Sequence, residues 1–73
     1  MLTVKDFGEM IQTIRKKSKL TQAELAAGSG LGERFVRELE KGKPTCQLEK
    51  ALLVARMLGI KITLTPPPTL DDE

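Results

Sequence analysis

The sequence predicts an all-α bundle that ends in a short β-strand, and three observations lead there. Apolar residues recur at three- and four-residue spacing in four successive segments. Thr residues open three of these segments, and Gly residues close three of them. After Gly59 the spacing changes to two, with β-branched residues, in Ile60-Lys61-Ile62-Thr63-Leu64.

The first helix opens at Thr3, with Asp6 three residues on as a capping-box partner. Val4, Phe7, Ile11 and Ile14 form its apolar stripe, and it ends near Lys17 or Ser18. Thr21-Gln22-Ala23-Glu24 is a second capping box. The helix it starts is broken after about two turns by Ala27-Gly28-Ser29-Gly30, where Gly30 suits a left-handed turn. Leu31 and Gly32 lead into a third helix of about eight residues, its inner side marked by Val36 and Leu39 and its end by Gly42. Thr45 caps a fourth helix, Cys46 to Leu58, with Leu48, Leu52, Ala55 and Leu58 as the inner stripe. Pro66-Pro67-Pro68 excludes helix and central strand. Residues 1–65 therefore read as one domain, and 66–73 as a flexible Pro-rich acidic tail.

A chain of 73 residues builds only a modest core. Cys46 is its one cysteine and it has no His, which excludes an internal disulfide and a Cys/His metal site; no metal or cofactor is expected. Cys46 reads as a passive small residue, with a redox role as the alternative. Without His, Tyr, Trp or a glycine-rich phosphate cradle, and too small to enclose a pocket, the chain is not expected to be an enzyme. No apolar run approaches membrane-spanning length and the start does not resemble a signal peptide, so a cytoplasmic chain is expected.

Charge points to a polyanion. Three of the ten acids, Asp71, Asp72 and Glu73, close the chain, so the rest is more basic than the formal net charge of +2 implies. Arg15, Lys16, Lys17 and Lys19 crowd together as either ordinary solvated charge or phosphate contacts, with Lys16 and Lys17 as phosphate candidates. The second and third helices, joined by a glycine turn, have the form of a helix-turn-helix between Thr21 and Lys41, a unit whose second helix enters the DNA major groove. Small residues at Ala23 and Ala26 are expected to let the two helices pack closely.

Thr21-Gln-Ala-Glu-Leu-Ala26, Gly30-Leu31, Val36 and Leu39-Glu-Lys-Gly42 resemble the Xre/Cro family of phage and bacterial repressors, over roughly residues 7–60. The resemblance implies a lambda-repressor-like bundle, usually of five helices, with the third as recognition helix, acting as a dimer. Arg34-Phe-Val-Arg-Glu-Leu-Glu-Lys-Gly-Lys-Pro-Thr45 and Leu58-Gly-Ile-Lys-Ile62 further resemble HipB-like antitoxins, which repress their own operon and pair with a HipA-type kinase toxin.

By the same resemblance, Gln22 contacts phosphate and braces a recognition side chain. Glu33 and Arg34 take the first base-facing positions, Arg37 and Glu38 the next turn, and Lys41 and Lys43 contact phosphate. Chemically, Arg34 suits guanine and Glu33 suits cytosine N4. Arg34 and Arg37 can instead pair with Glu33, Glu38 or Glu40 at helical spacing. Phe35 either meets thymine methyls or completes the core. Gly32 stands where Ser or Thr often caps this helix, which weakens the cap.

A lone strand leaves its backbone groups unpaired. A twofold copy pairing through 60–64 would satisfy them, with Leu53, Val54, Met57, Ile60, Ile62 and Leu64 as the dimer interface; pairing with residues 1–3 is the alternative. The leading functional expectation is a sequence-specific, autoregulatory transcriptional repressor acting as antitoxin to a HipA-type kinase. The competing one is a protein-interaction or toxin-neutralising subunit whose DNA binding is secondary.

Overall fold

Reciprocal Thr caps start the first two helices as the sequence requires. In the computed structural model, which describes residues 2–44 and 47–68, the elements run α1 (Val4–Lys17), α2 (Gln22–Ser29), α3 (Glu33–Glu40) and α4 (Leu48–Met57). Thr3 Oγ1 accepts from the Asp6 N–H at 3.1 Å while the Asp6 carboxylate accepts from the Thr3 N–H. Thr21 and Glu24 repeat the exchange at 3.0 and 2.8 Å. Each box satisfies two backbone groups that the helix itself cannot.

All four helices stop in one way. Lys19, Gly30, Gly42 and Gly59 take left-handed backbone angles. The next residue's N–H then bonds back over the last turn, as in Leu20 to the Arg15 carbonyl and Leu31 to that of Ala26. Lys19 is the exception in residue type, since a left-handed conformation costs a residue with a Cβ about 1–2 kcal/mol.

Helix α3 packs against both α1 and α2, and α4 packs on α2. The core comprises Ile11, Leu25, Ala26, Val36, Leu39, Ala51, Val54 and Ala55, with Phe7, Leu31, Phe35, Leu58 and Ile60 half-buried around it. Four helices occupy the described residues, where the family resemblance implied five. Val4 and Ala23, expected inside, are exposed; of the two α2 alanines only Ala26 is buried.

Three expectations for the C-terminal part are corrected. Helix α4 begins at Leu48, with Gln47 at its N-cap position; Thr45 and Cys46 lie outside the described residues. Its buried stripe is Ala51, Val54, Ala55 and, half-buried, Leu58, whereas Leu48 and Leu52 face outward. Val54 is fully buried and cannot serve a dimer interface. The helix turns Ala51 and Ala55 inward where it packs on α2, and bulky leucines there would hold the pair apart.

The third correction concerns residues 60–64, which form no strand. A strand needs a neighbour for its N–H and C=O groups, and no strand occurs among the described residues. Thr3 cannot supply one because its backbone is committed to capping α1; Met1 lies outside the described residues. Ile60 packs against the chain's own core instead, leaving Ile62 and Leu64 exposed. Pro66, Pro67 and Pro68 are exposed, and the expected acidic tail from Thr69 to Glu73 lies outside the described residues.

Candidate nucleic-acid interface

Helix α3 is held from behind and open in front. Val36 and Leu39 fix its inner side in the core. At its far end Gly8 of α1 lies against the Leu39 and Glu40 carbonyls so closely that a Cβ there would come within 2.9 Å of the Glu40 oxygen. Helix α3 begins at Gly32 without a side-chain cap, as the glycine dictates.

A buried ionic clasp locks the end of α3 to both preceding helices. Arg15 Nε donates to Glu40 Oε2 at 2.6 Å, and its second nitrogen donates to Oε1 at 3.1 Å. A third guanidinium nitrogen donates to the Leu20 carbonyl at 2.8 Å. Gln22 Nε2 completes the clasp by donating to Glu40 Oε1 at 3.0 Å. Both charged side chains are nearly sealed from solvent, at 10% and 2% exposure, so the pairing is bidentate and desolvated.

Arg15 is therefore no phosphate candidate, although its basic neighbours Lys16, Lys17 and Lys19 remain exposed. The clasp was absent from the sequence reading, yet its signal lay in the helical phase. Gly8, Ile11 and Arg15 share one face of α1, and Val36, Leu39 and Glu40 share one face of α3. A charge on an inward stripe demands a partner.

The outward face of α3 gathers Glu33, Arg34, Arg37 and the half-buried Glu38, with Lys41 and Lys43 exposed just beyond. Gln22, half-buried at the start of α2, is tied to this helix by the clasp. Phe35 is half-buried against the core, which supports the packing alternative over the thymine-methyl one. The helical pairings considered from spacing are present: Arg34 donates to Glu38 at 3.3 Å and Arg37 to Glu33 at 3.5 Å. Lys43 adds a contact that spacing did not raise, donating to Glu38 Oε2 at 3.0 Å.

The Lys43 hydrogen bond, joined by the Lys43 charge and Arg34, holds the Glu38 carboxyl below its ordinary pKa against a smaller opposing effect of burial. Its stabilising contribution is complete above the ordinary carboxylate range and is lost as pH falls through the lowered value.

Two short helices across a left-handed glycine, the second braced behind and polar in front, have the form of the unit whose second helix can enter a DNA groove. Residues 11–64 match the model of the helix-turn-helix family. The chain belongs to that family. This helix-turn-helix protein is 43% identical over 65 residues to an uncharacterized HTH-type transcriptional regulator, y4mF, of Sinorhizobium fredii, covering 89% of this chain and 86% of the relative. It is 34% identical over 56 residues to the immunity repressor protein of Bacillus phage phi105. That match covers 77% of this chain and 39% of the phage protein. The helix-turn-helix chain thus has transcriptional regulators among its relatives, and no helix among its described residues is long and apolar enough to cross a membrane.

Proposed function

We propose that the protein is a sequence-specific DNA-binding transcriptional repressor whose α3 enters the major groove. The observation that carries this reading is the pairing of an outward polar face, Glu33, Arg34, Arg37 and Glu38, with a rigid mounting at Val36, Leu39 and the Arg15–Glu40–Gln22 clasp. Base readout needs side chains positioned by elements that do not yield. Residues 1–65 form the DNA-binding unit. Glu33 and Arg34 read bases, with Arg37 and Glu38 on the next turn, while Lys16, Lys17, Gln22, Lys41 and Lys43 contact phosphate. Footprinting on the chain's own promoter tests the assignment, and affinity that barely changes across scrambled duplexes would sink it.

The roles separate in two variants. Arg34→Ala should relax preference at one base pair and cost about 1–3 kcal/mol on the preferred site. Lys43→Ala should weaken binding without changing which base is preferred at any position, and lower the salt slope by about one. Equal behaviour in duplex titrations at several salt concentrations would refute the division.

The repressor acts as a homodimer in this reading. Leu52, Leu53, Met57, Ile62 and Leu64 all expose apolar surface, which a small chain gains by covering. Twofold-related copies would set two α3 helices for half-sites about one DNA turn apart. A Leu53→Lys, Met57→Lys variant should sediment as a monomer at micromolar concentration and bind DNA at least tenfold more weakly; a wild type that sediments only as an 8.1 kDa species overturns the dimer.

The finer reading is an autoregulatory antitoxin paired with a HipA-type kinase toxin, located in the cytoplasm and on the nucleoid. It rests on the resemblance over Arg34–Thr45 and Leu58–Ile62. Co-purification with the product of an adjacent kinase gene tests it. The alternative, a toxin-neutralising subunit with secondary DNA binding, would follow from toxin capture without sequence discrimination.

A further inference from the structure

We propose that Glu38 is a specificity-determining residue that restrains binding to unselected DNA by holding Arg34 and Lys43 until a base offers its carboxylate a donor. The inference deepens the DNA-binding reading above and rests on it. It begins from one atom. Glu38 Oε2 accepts from Lys43 Nζ at 3.0 Å and from Arg34 Nε at 3.3 Å. One carboxylate oxygen thus ties the leading base-reading cation to a phosphate-binding cation from the following loop.

Any phosphate or guanine edge that recruits these cations must compete with Glu38 for them. The competition is not negligible, since an ion pair at an accessible surface shifts an equilibrium by up to about fivefold, and two share this carboxylate. Success leaves a worse problem: a partly exposed carboxylate facing the DNA phosphates with its cations withdrawn, where like charges repel. Glu33 cannot relieve it, being an acid itself and paired with Arg37 at 3.5 Å.

Among the groups that DNA presents, only a donor on a base edge satisfies the released Glu38. The exposed cytosine N4 amino group is such a donor in the major groove, whereas phosphate and the acceptor edge of guanine are not. Glu38 therefore adds little affinity on a matching site and subtracts affinity on others. Specificity obtained by penalising the wrong partner has this form.

The test uses the full chain, an unselected duplex of about 30 base pairs, and duplexes that wild type enriches from a random pool. Glu38→Gln keeps the shape and removes the charge at an accessible site, and circular dichroism checks its fold. It should bind the unselected duplex about three- to tenfold more tightly than wild type at equal salt. Its preference for enriched over unselected duplex should fall about tenfold.

Two controls separate restraint from simple gain of positive charge. Glu49→Gln makes the same charge change on α4 and should gain less than twofold. In a Lys43→Ala background the benefit of Glu38→Gln should shrink, because one of the held cations is gone. An equal gain in both backgrounds, an equal gain from Glu49→Gln, or no gain at all overturns the role of Glu38 while wild-type discrimination keeps the repressor reading intact. A wild type that enriches no duplex removes that reading and this one together.

Discussion

Glu40→Ala should cost about 3–5 kcal/mol of folding free energy, the largest loss expected from any single substitution at the interface. The carboxylate is 2% exposed and accepts from Arg15 twice and from Gln22 once. Its removal leaves the Arg15 guanidinium buried with only the Leu20 carbonyl as partner. A chain of 73 residues has roughly 4–11 kcal/mol to lose, so the variant should forfeit a quarter or more of its stability. Arg15→Met combined with Glu40→Leu should regain most of the loss, because a buried pair contributes little over apolar residues of similar volume. Urea denaturation of the two variants checks this. A double replacement as unstable as Glu40→Ala would show that something other than the stranded charge sets the cost.

The same comparison bears on function. The double replacement also removes the acceptor of Gln22 Nε2. It should therefore fold yet bind DNA more weakly, with a loss that is alike across sequences and leaves the salt slope unchanged, because Gln22 carries no charge.

Gly8→Ala is the second large effect, at about 1–3 kcal/mol. In an ordinary helix this substitution would stabilise by roughly 0.5–1 kcal/mol. Here the added Cβ meets the main-chain carbonyls of Leu39 and Glu40. Neither is the end of a flexible side chain, so relief requires α1 and α3 to move apart. That movement displaces the end of α3 and stretches the Arg15–Glu40 pair that bridges the same helices. A thermal melt should show a lower midpoint, and duplex binding should weaken beyond what the unfolded fraction accounts for. A rise in the midpoint would mean that the close approach does not restrain α3.

Glycine at position 8 also shows where sequence reading ends. Within a helix the residue looks like a simple weakness, and only the approach of another helix gives it a purpose. Arg15 makes the same point more strongly. In sequence it belongs to a basic cluster with Lys16, Lys17 and Lys19, while in the fold it is the buried member. Periodicity places it on the Ile11 face, but chain spacing alone does not identify a partner 25 residues away. Lys43 and Glu38, five residues apart, lie off regular helical spacing and meet because the Gly42 turn folds the chain back.

The rotation of α4 is not legible in the sequence for a related reason. Its apolar residues cover more than one face, so hydrophobicity does not decide its rotation. Small residues at Ala51 and Ala55 and the close contact with α2 decide it, leaving Leu48 and Leu52 outside and Val54 inside. The Ile60–Leu64 segment has strand composition without a strand, since alternation describes side chains and pairing depends on a neighbour.

The sequence by itself determined the local features: two Thr capping boxes, the glycine stops, the α2–turn–α3 order and the polar outer face of α3. These depend on interactions among residues at most a few positions apart, so they can be read directly from the chain. Tertiary structure alone decided which charges are buried, how α4 is rotated, and whether residues 60–64 find a partner. Each of these depends on what a distant segment presents, and burial makes a polar group's stability conditional on that partner.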